Sequence, residues 1–77
     1  MILFGNPVCE YCKDIKKLLE EKKIEFREEV VKIKDNRWCF KRDGVWNKFP
    51  ENWGIPILQC GKMTLLGYKE IKDFLNG

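Results

Sequence analysis

The spacing of apolar and polar positions changes character several times along the chain. Ile2-Leu3-Phe4 is an unbroken apolar run closed by Gly5-Asn6-Pro7, the pattern of a buried strand delivered into a tight turn. Beyond it, Cys12, Ile15, Leu18, Leu19 and Lys22 recur at three- and four-residue steps, with Asp14, Lys16, Lys17, Glu20 and Glu21 on the other side. That spacing predicts an amphipathic helix over about 9–23. Glu10 suits the positive end of its dipole and Lys22-Lys23 the negative end. From 24 to 33, Ile24, Phe26, Val30, Val31 and Ile33 partly alternate with charged residues, which predicts a second strand with one wetter face. After Gly54, Ile55 to Cys60 reads as a strand, Gly61-Lys62 as a turn and Met63 to Leu66 as the hairpin partner. Tyr68, Ile71, Phe74 and Leu75 then recur at helical spacing, closing the chain with a helix over about 68–76.

Residues 34–54 are expected to be an irregular, tryptophan-rich segment, and two local forms compete within it. Asp43-Gly44 makes a two-residue hairpin turn with Trp38-Cys39-Phe40 and Val45-Trp46 as arms; alternatively Trp46, Phe49 and Trp53 form a helical stripe interrupted at Pro50. All three tryptophans fall here, so the segment covers apolar surface in either form. The order of elements implies one α/β domain over 1–77, with helices packed on the faces of a sheet. The helix between the first two strands invites a parallel crossover, while Gly61-Lys62 makes the last two strands antiparallel.

Composition narrows the chemistry. In 77 residues there is no room for a separate cofactor lobe, and with no histidine there is no Ser-His-Asp or Cys-His pair and no His-ligated metal. The net charge of +3 is spread in mixed signs without a long like-charged run, so neither nucleic acid nor membrane is expected as a partner. No stretch approaches the roughly 20 apolar residues of a membrane span, and the start lacks the pattern of a signal peptide. A cytoplasmic monomer is expected. Four cysteines in such a chain point to redox or metal chemistry before a disulfide framework.

Cys9-Glu10-Tyr11-Cys12 opens the first helix. Cys9 faces the unpaired N–H groups there, which stabilise a thiolate, so it is the natural nucleophile. Cys12, one turn inward on the apolar side, is placed to attack the resulting mixed disulfide. The strand and Gly-Asn-Pro turn ahead of the pair are a redox context. The competing class is a zinc or iron-sulfur cysteine module that acts in sensing or protein interaction. Cys39 and Cys60 fit no C-x-x-C spacing and read as small buried apolar residues. Glu10 places a carboxylate beside the nucleophile, which disfavours a second negative charge there and makes the disulfide harder to reduce. Pro56 cannot donate to a sheet ladder, so it leaves that strand end open for a substrate backbone beside Ile55. Tyr11 offers an exposed flat surface next to Cys9.

On these residues the chain resembles a small glutaredoxin-like member of the thioredoxin superfamily, over about 1–33 and 55–77. Cys9-Glu10-Tyr11-Cys12 is similar to that family's C-P-Y-C site, with Glu10 where proline is usual. Ile55-Pro56 matches its hydrophobic-Pro pair with a cis peptide bond, and Leu66-Gly67-Tyr68 falls at its Gly-Gly turn into the last helix. The resemblance implies a thioredoxin-like fold, a four-stranded mixed sheet flanked by helices. It also implies a dithiol-disulfide oxidoreductase with Cys9 and Cys12 catalytic, and Tyr11, Ile55, Pro56, Gly67 and Tyr68 at the substrate groove. No bound cofactor or metal is expected; electrons come from glutathione or a thioredoxin-reductase-type flavin disulfide reductase, and partners are proteins carrying disulfides. Glutathione-using relatives carry a basic residue two positions before the nucleophile and an acidic one at the start of the last helix, where this chain has Pro7 and Lys69. Gly67-Tyr68-Lys69 looks more like the NrdH-type redoxins, which thioredoxin reductase reduces and which supply ribonucleotide reductase. Lys13 and Lys69 keep a glutathione carboxylate site open as the alternative.

Overall fold

The computed structural model describes all of residues 1–77. In chain order the elements are β1 (Ile2–Gly5), α1 (Glu10–Glu21), β2 (Arg27–Val30), β3 (Lys32–Lys34), β4 (Arg37–Arg42), β5 (Val45–Lys48), β6 (Ile57–Cys60), β7 (Met63–Leu66) and α2 (Tyr68–Asn76). They form an α/β fold on a four-stranded mixed sheet ordered β2-β1-β6-β7. The β1–β2 pair is parallel across the α1 crossover, and β6 is antiparallel to both β1 and β7.

Period-2 alternation in the strands sorts the core into two faces. Leu3, Leu58 and Leu65 lie side by side in register and meet Ile15 and Leu19 of α1 and Ile71 of α2. Phe4, Ile57 and Leu66 form the next row and point the other way, towards Val31 and Phe49. Both helices therefore sit on one face, which corrects the expectation of helices on both.

The opposite face is covered by a second, three-stranded antiparallel sheet, β3-β4-β5. Residues 34–48 are thus not irregular, whereas 49–54 lie in no helix or strand: the hairpin at Asp43-Gly44 forms and the helical stripe at Trp46, Phe49 and Trp53 does not. Tight turns explain the outcome. Asp43 and Gly44 both have positive φ, as do Asp35 and Asn36 in a second hairpin turn, the geometry that matches the right-handed twist of the flanking strands. Inward-facing Trp38 and Phe40 then pack on the row of Phe4, with Phe4, Phe40, Phe49 and Trp53 in successive ring contacts at centroid distances of 4.6–6.0 Å. Within the second layer, Arg37 of β4 ties down the chain just after β5 by donating from Nη2 to the Phe49 carbonyl at 2.6 Å.

The strand predicted over 24–33 is divided. Ile24 and Phe26 pack under the helices before β2 starts, and pairing with β1 ends at Val30 opposite Gly5. Val31, fully buried, is where the chain crosses to the second sheet. The strand predicted from Ile55 begins at Ile57, because Pro56 has no N–H to give. Helix α1 stops at Lys22 through a Schellman arrangement: Lys23, at φ 57°, donates to Glu20 O, and Ile24 donates to Leu19 O.

Candidate functional site

Topology gathers one end of the main sheet. The β1 C-terminus, which leads to Cys9, lies beside the β6 N-terminus at Pro56 and the β7 C-terminus at Gly67. The turn between β1 and α1 is built by Asn6. Its side-chain Oδ1 accepts from Val8 N–H at 3.0 Å, its carbonyl accepts from Cys9 N–H at 3.0 Å, and its Nδ2 donates to the Val31 carbonyl at 3.0 Å. The turn that leads to Cys9 and the β2–β3 junction are thereby fastened together, a link that Val31 N–H strengthens by donating to Gly5 O at 2.9 Å.

Cys9 is the N-cap of α1, in extended conformation, and its Sγ accepts from Cys12 N–H at 3.2 Å. Sulfur stands where a serine or aspartate oxygen usually caps a helix, so the positive end of the helix faces it. Cys12 is only 5% exposed. Burial first, then a hydrogen bond with Cys9 and the like charges of Cys9 and Glu28, push its thiol up to about 12, with a backbone hydrogen bond at Asn6 acting the other way. Gly5 makes room for this thiol: a Cβ at that position would lie 3.0 Å from Cys12 Cβ and 3.1 Å from Sγ. An open cleft of about 220 Å³ reaches Cys12 between Pro7, Lys13 and Glu28, and Lys16 bridges to Glu28 there at 3.2 Å.

The remaining expected site residues meet in pairs. Tyr11, 59% exposed, packs on Tyr68 with ring centroids 4.8 Å apart, and Lys72 Nζ sits 5.5 Å from the Tyr68 centroid. The Ile55–Pro56 peptide bond is cis, and the Pro56 carbonyl accepts from Gly67 N–H at 2.9 Å. Gly67 has φ 87° and ψ 160°, a conformation that side chains other than hydrogen resist, so glycine is required where β7 turns into α2. Lys13 is exposed and pairs with Glu10 at 3.7 Å; Lys69, on the first turn of α2, is exposed with no carboxylate within 4.0 Å. Leu66, where glycine is usual, turns its side chain into the Phe4 and Phe49 cluster.

The four cysteines do not converge. Cys39 is buried in β4 of the second sheet, and Cys60 lies at the far end of β6. Burial pushes the Cys60 thiol up, against the nearby N-terminal ammonium, which marks it as belonging to the opposite end of the sheet from Cys9. Cys60 is half-buried rather than buried. No three cysteine, aspartate or glutamate side chains are placed to share a metal ion. Gly5, Asn6 and Glu28 were not legible as site residues: Gly5-Asn6 reads as a plain turn, and only the fold brings Glu28 to the cleft.

The model of the glutaredoxin family, described as Glutaredoxin, matches residues 1–53. The match includes the second sheet, which motif resemblance alone leaves outside, and ends just before Ile55. Neither the search of curated proteins nor that of solved structures finds a match.

Proposed function

The chain belongs to the glutaredoxin family, whose members are thiol-disulfide redoxins, and from that membership we propose a dithiol cycle run by Cys9 and Cys12. The carrying observation is the division of labour between them: Cys9 Sγ caps the helix and takes an N–H at 3.2 Å, whereas the Cys12 thiol is buried and held protonated. The Cys9 thiolate attacks one sulfur of a substrate disulfide, forming a mixed disulfide and expelling the other substrate sulfur as a thiolate. Cys12 then loses its proton and attacks Cys9 Sγ, which releases the second substrate thiolate and closes a Cys9–Cys12 disulfide. Two electrons have passed to the substrate, and an external dithiol or two glutathiones must return them.

Tyr11 and Tyr68 supply the flat wall of the groove, and Ile55 presents backbone beside cis-Pro56. Pro7, Leu66 and Lys69 favour a thioredoxin-reductase-type donor. Pro7 offers no charge to a glutathione carboxylate, Leu66 is committed to the core, and Lys69 would repel the tripeptide's ammonium. Protein disulfides, that of ribonucleotide reductase among them, are the substrates of this reading, and the cytoplasm is its compartment. No helix is long and apolar enough to cross a membrane.

Turnover on a small disulfide, with glutathione plus its reductase and thioredoxin reductase offered separately, tests it. Turnover with thioredoxin reductase alone is expected. Efficient turnover with glutathione would overturn the assignment of the donor, and turnover with neither would overturn the cycle.

A further inference from the structure

The charge of the molecule is concentrated in the second sheet. Residues 31–50 hold Lys32, Lys34, Arg37, Lys41, Arg42 and Lys48 against Asp35 and Asp43, a net +4 in a chain whose total is +3, so everything else sums to −1. Register decides where these cations point. Cys39 lies opposite both Lys32 and Lys48, and Lys41 lies opposite Trp46, so this set occupies the face turned away from the main sheet. Two of the cations on this face are engaged: Arg37 on the Phe49 carbonyl and Lys48 on Asp35 at 3.2 Å. Lys32, Lys34 and Lys41 have no carboxylate within 4.0 Å. The Trp46 ring reaches across β4 to β3, with Lys34 Nζ at 4.8 Å and Lys32 Nζ at 5.5 Å from its centroid, and Cys39 beneath is left 1% exposed.

Position gives this patch a use. Lys32 follows Val31, whose N–H and carbonyl are tied to Gly5 and Asn6 of the redox turn. We propose that the outer face of β3-β4-β5, with Lys32, Lys34 and Lys41 around Trp46, docks an acidic protein whose disulfide the Cys9–Cys12 pair reduces. This inference rests on the redox reading. The dithiol becomes a disulfide while the partner's disulfide becomes two thiols. Lysines suit the task, because exposed point charges raise the rate of encounter without holding product. Single-stranded nucleic acid fits less well: it needs open aromatic faces for stacking, and the ring face of Trp46 is already covered by this chain's own lysines.

The test compares two disulfide-bridged peptides that differ only in flanking residues, four glutamates or four glutamines. At low salt the wild type should reduce the acidic peptide about tenfold faster in kcat/KM, an advantage that vanishes at high salt. Lys32→Glu/Lys34→Glu/Lys41→Glu, and the neutral Lys→Gln triple in case the first fails to fold, should lose that preference while reducing the glutamine peptide at the wild-type rate. Lys17→Glu/Lys22→Glu/Lys62→Glu, with the same net charge, should keep most of it. Preference retained by the Lys→Gln triple, or lost equally in the control triple, overturns the docking surface. Tighter binding of a single-stranded oligonucleotide than of the acidic peptide, dependent on the same lysines, also overturns it. No reduction of either peptide by the wild type overturns the redox reading instead; the surface is then judged by whether the acidic peptide shifts the NMR signals of Lys32, Lys34, Lys41 and the Trp46 indole in a Cys9→Ser/Cys12→Ser protein. Shifts there sustain it, and shifts elsewhere overturn it.

Discussion

Burial is the main reason the Cys12 thiol stands at about 12, but the hydrogen bond and like charge from Cys9 add to it, and both disappear once Cys9 is tied up in a mixed disulfide. In the proposed cycle, ionisation of Cys12 therefore becomes easier at the step in which it attacks. The same shift has a consequence for stability. With the folded value raised above the ordinary 9.0, the unfolded chain gives up this proton first, so the contribution is intact below pH 9 and is lost as pH rises towards 12. Melting reduced wild type and Cys12→Ser side by side should show the difference between them shifting against the wild type above pH 9 and constant below it. Glu10 is a second residue-scale lever. Its carboxylate is exposed and partly answered by Lys13 at 3.7 Å, so Glu10→Gln should raise the Cys9–Cys12 reduction potential by only about 5–20 mV, measured by equilibration with a glutathione or dithiothreitol redox buffer. A lower potential in the variant would contradict the charge argument.

Among the elements, α1 was legible almost entire, because its apolar stripe is long and strongly periodic, while its end was not. The chain stops at Lys22 because Lys23 adopts the left-handed conformation usually given to glycine. Lys23→Gly should stabilise the protein by about 0.5–1 kcal/mol in urea unfolding, since the Schellman bonds are already in place and only the Cβ penalty is removed. The β6–β7 hairpin and α2 were legible for the same reason as α1, a clear period bounded by glycine. The β2–β3 break was not: nothing local distinguishes Val31 from its neighbours, and the division arises from Gly5 and Asn6 capturing Val31 from across the sheet. Asp35-Asn36 carried a usable turn signal that the charged residues around it obscured.

At the scale of the molecule, the α/β class and the glutaredoxin family could be read from the chain because each rests on local signals. The covering of the second face could not, since it depends on Phe4 of β1, Phe40 of β4 and the Phe49–Trp53 pair of the β5–β6 connection meeting from three separate segments. Those contacts should make the two sheets one cooperative unit. Phe49→Ala removes the ring shared by three of the contacts and should cost about 3–5 kcal/mol, much of the roughly 4–12 kcal/mol expected for 77 residues. Far-ultraviolet circular dichroism and tryptophan fluorescence should report the same single transition at lower denaturant. Separate melting of the second sheet would show that it is an appendage.

The most direct measurement is to react reduced Cys12→Ser protein with a disulfide and locate the adduct by mass spectrometry of peptides. A stable mixed disulfide on Cys9, with no adduct on the buried Cys39, is the predicted result. An adduct on any other cysteine, or undiminished turnover by Cys9→Ser, would contradict the assignment of Cys9 as the attacking sulfur and Cys12 as the resolving one.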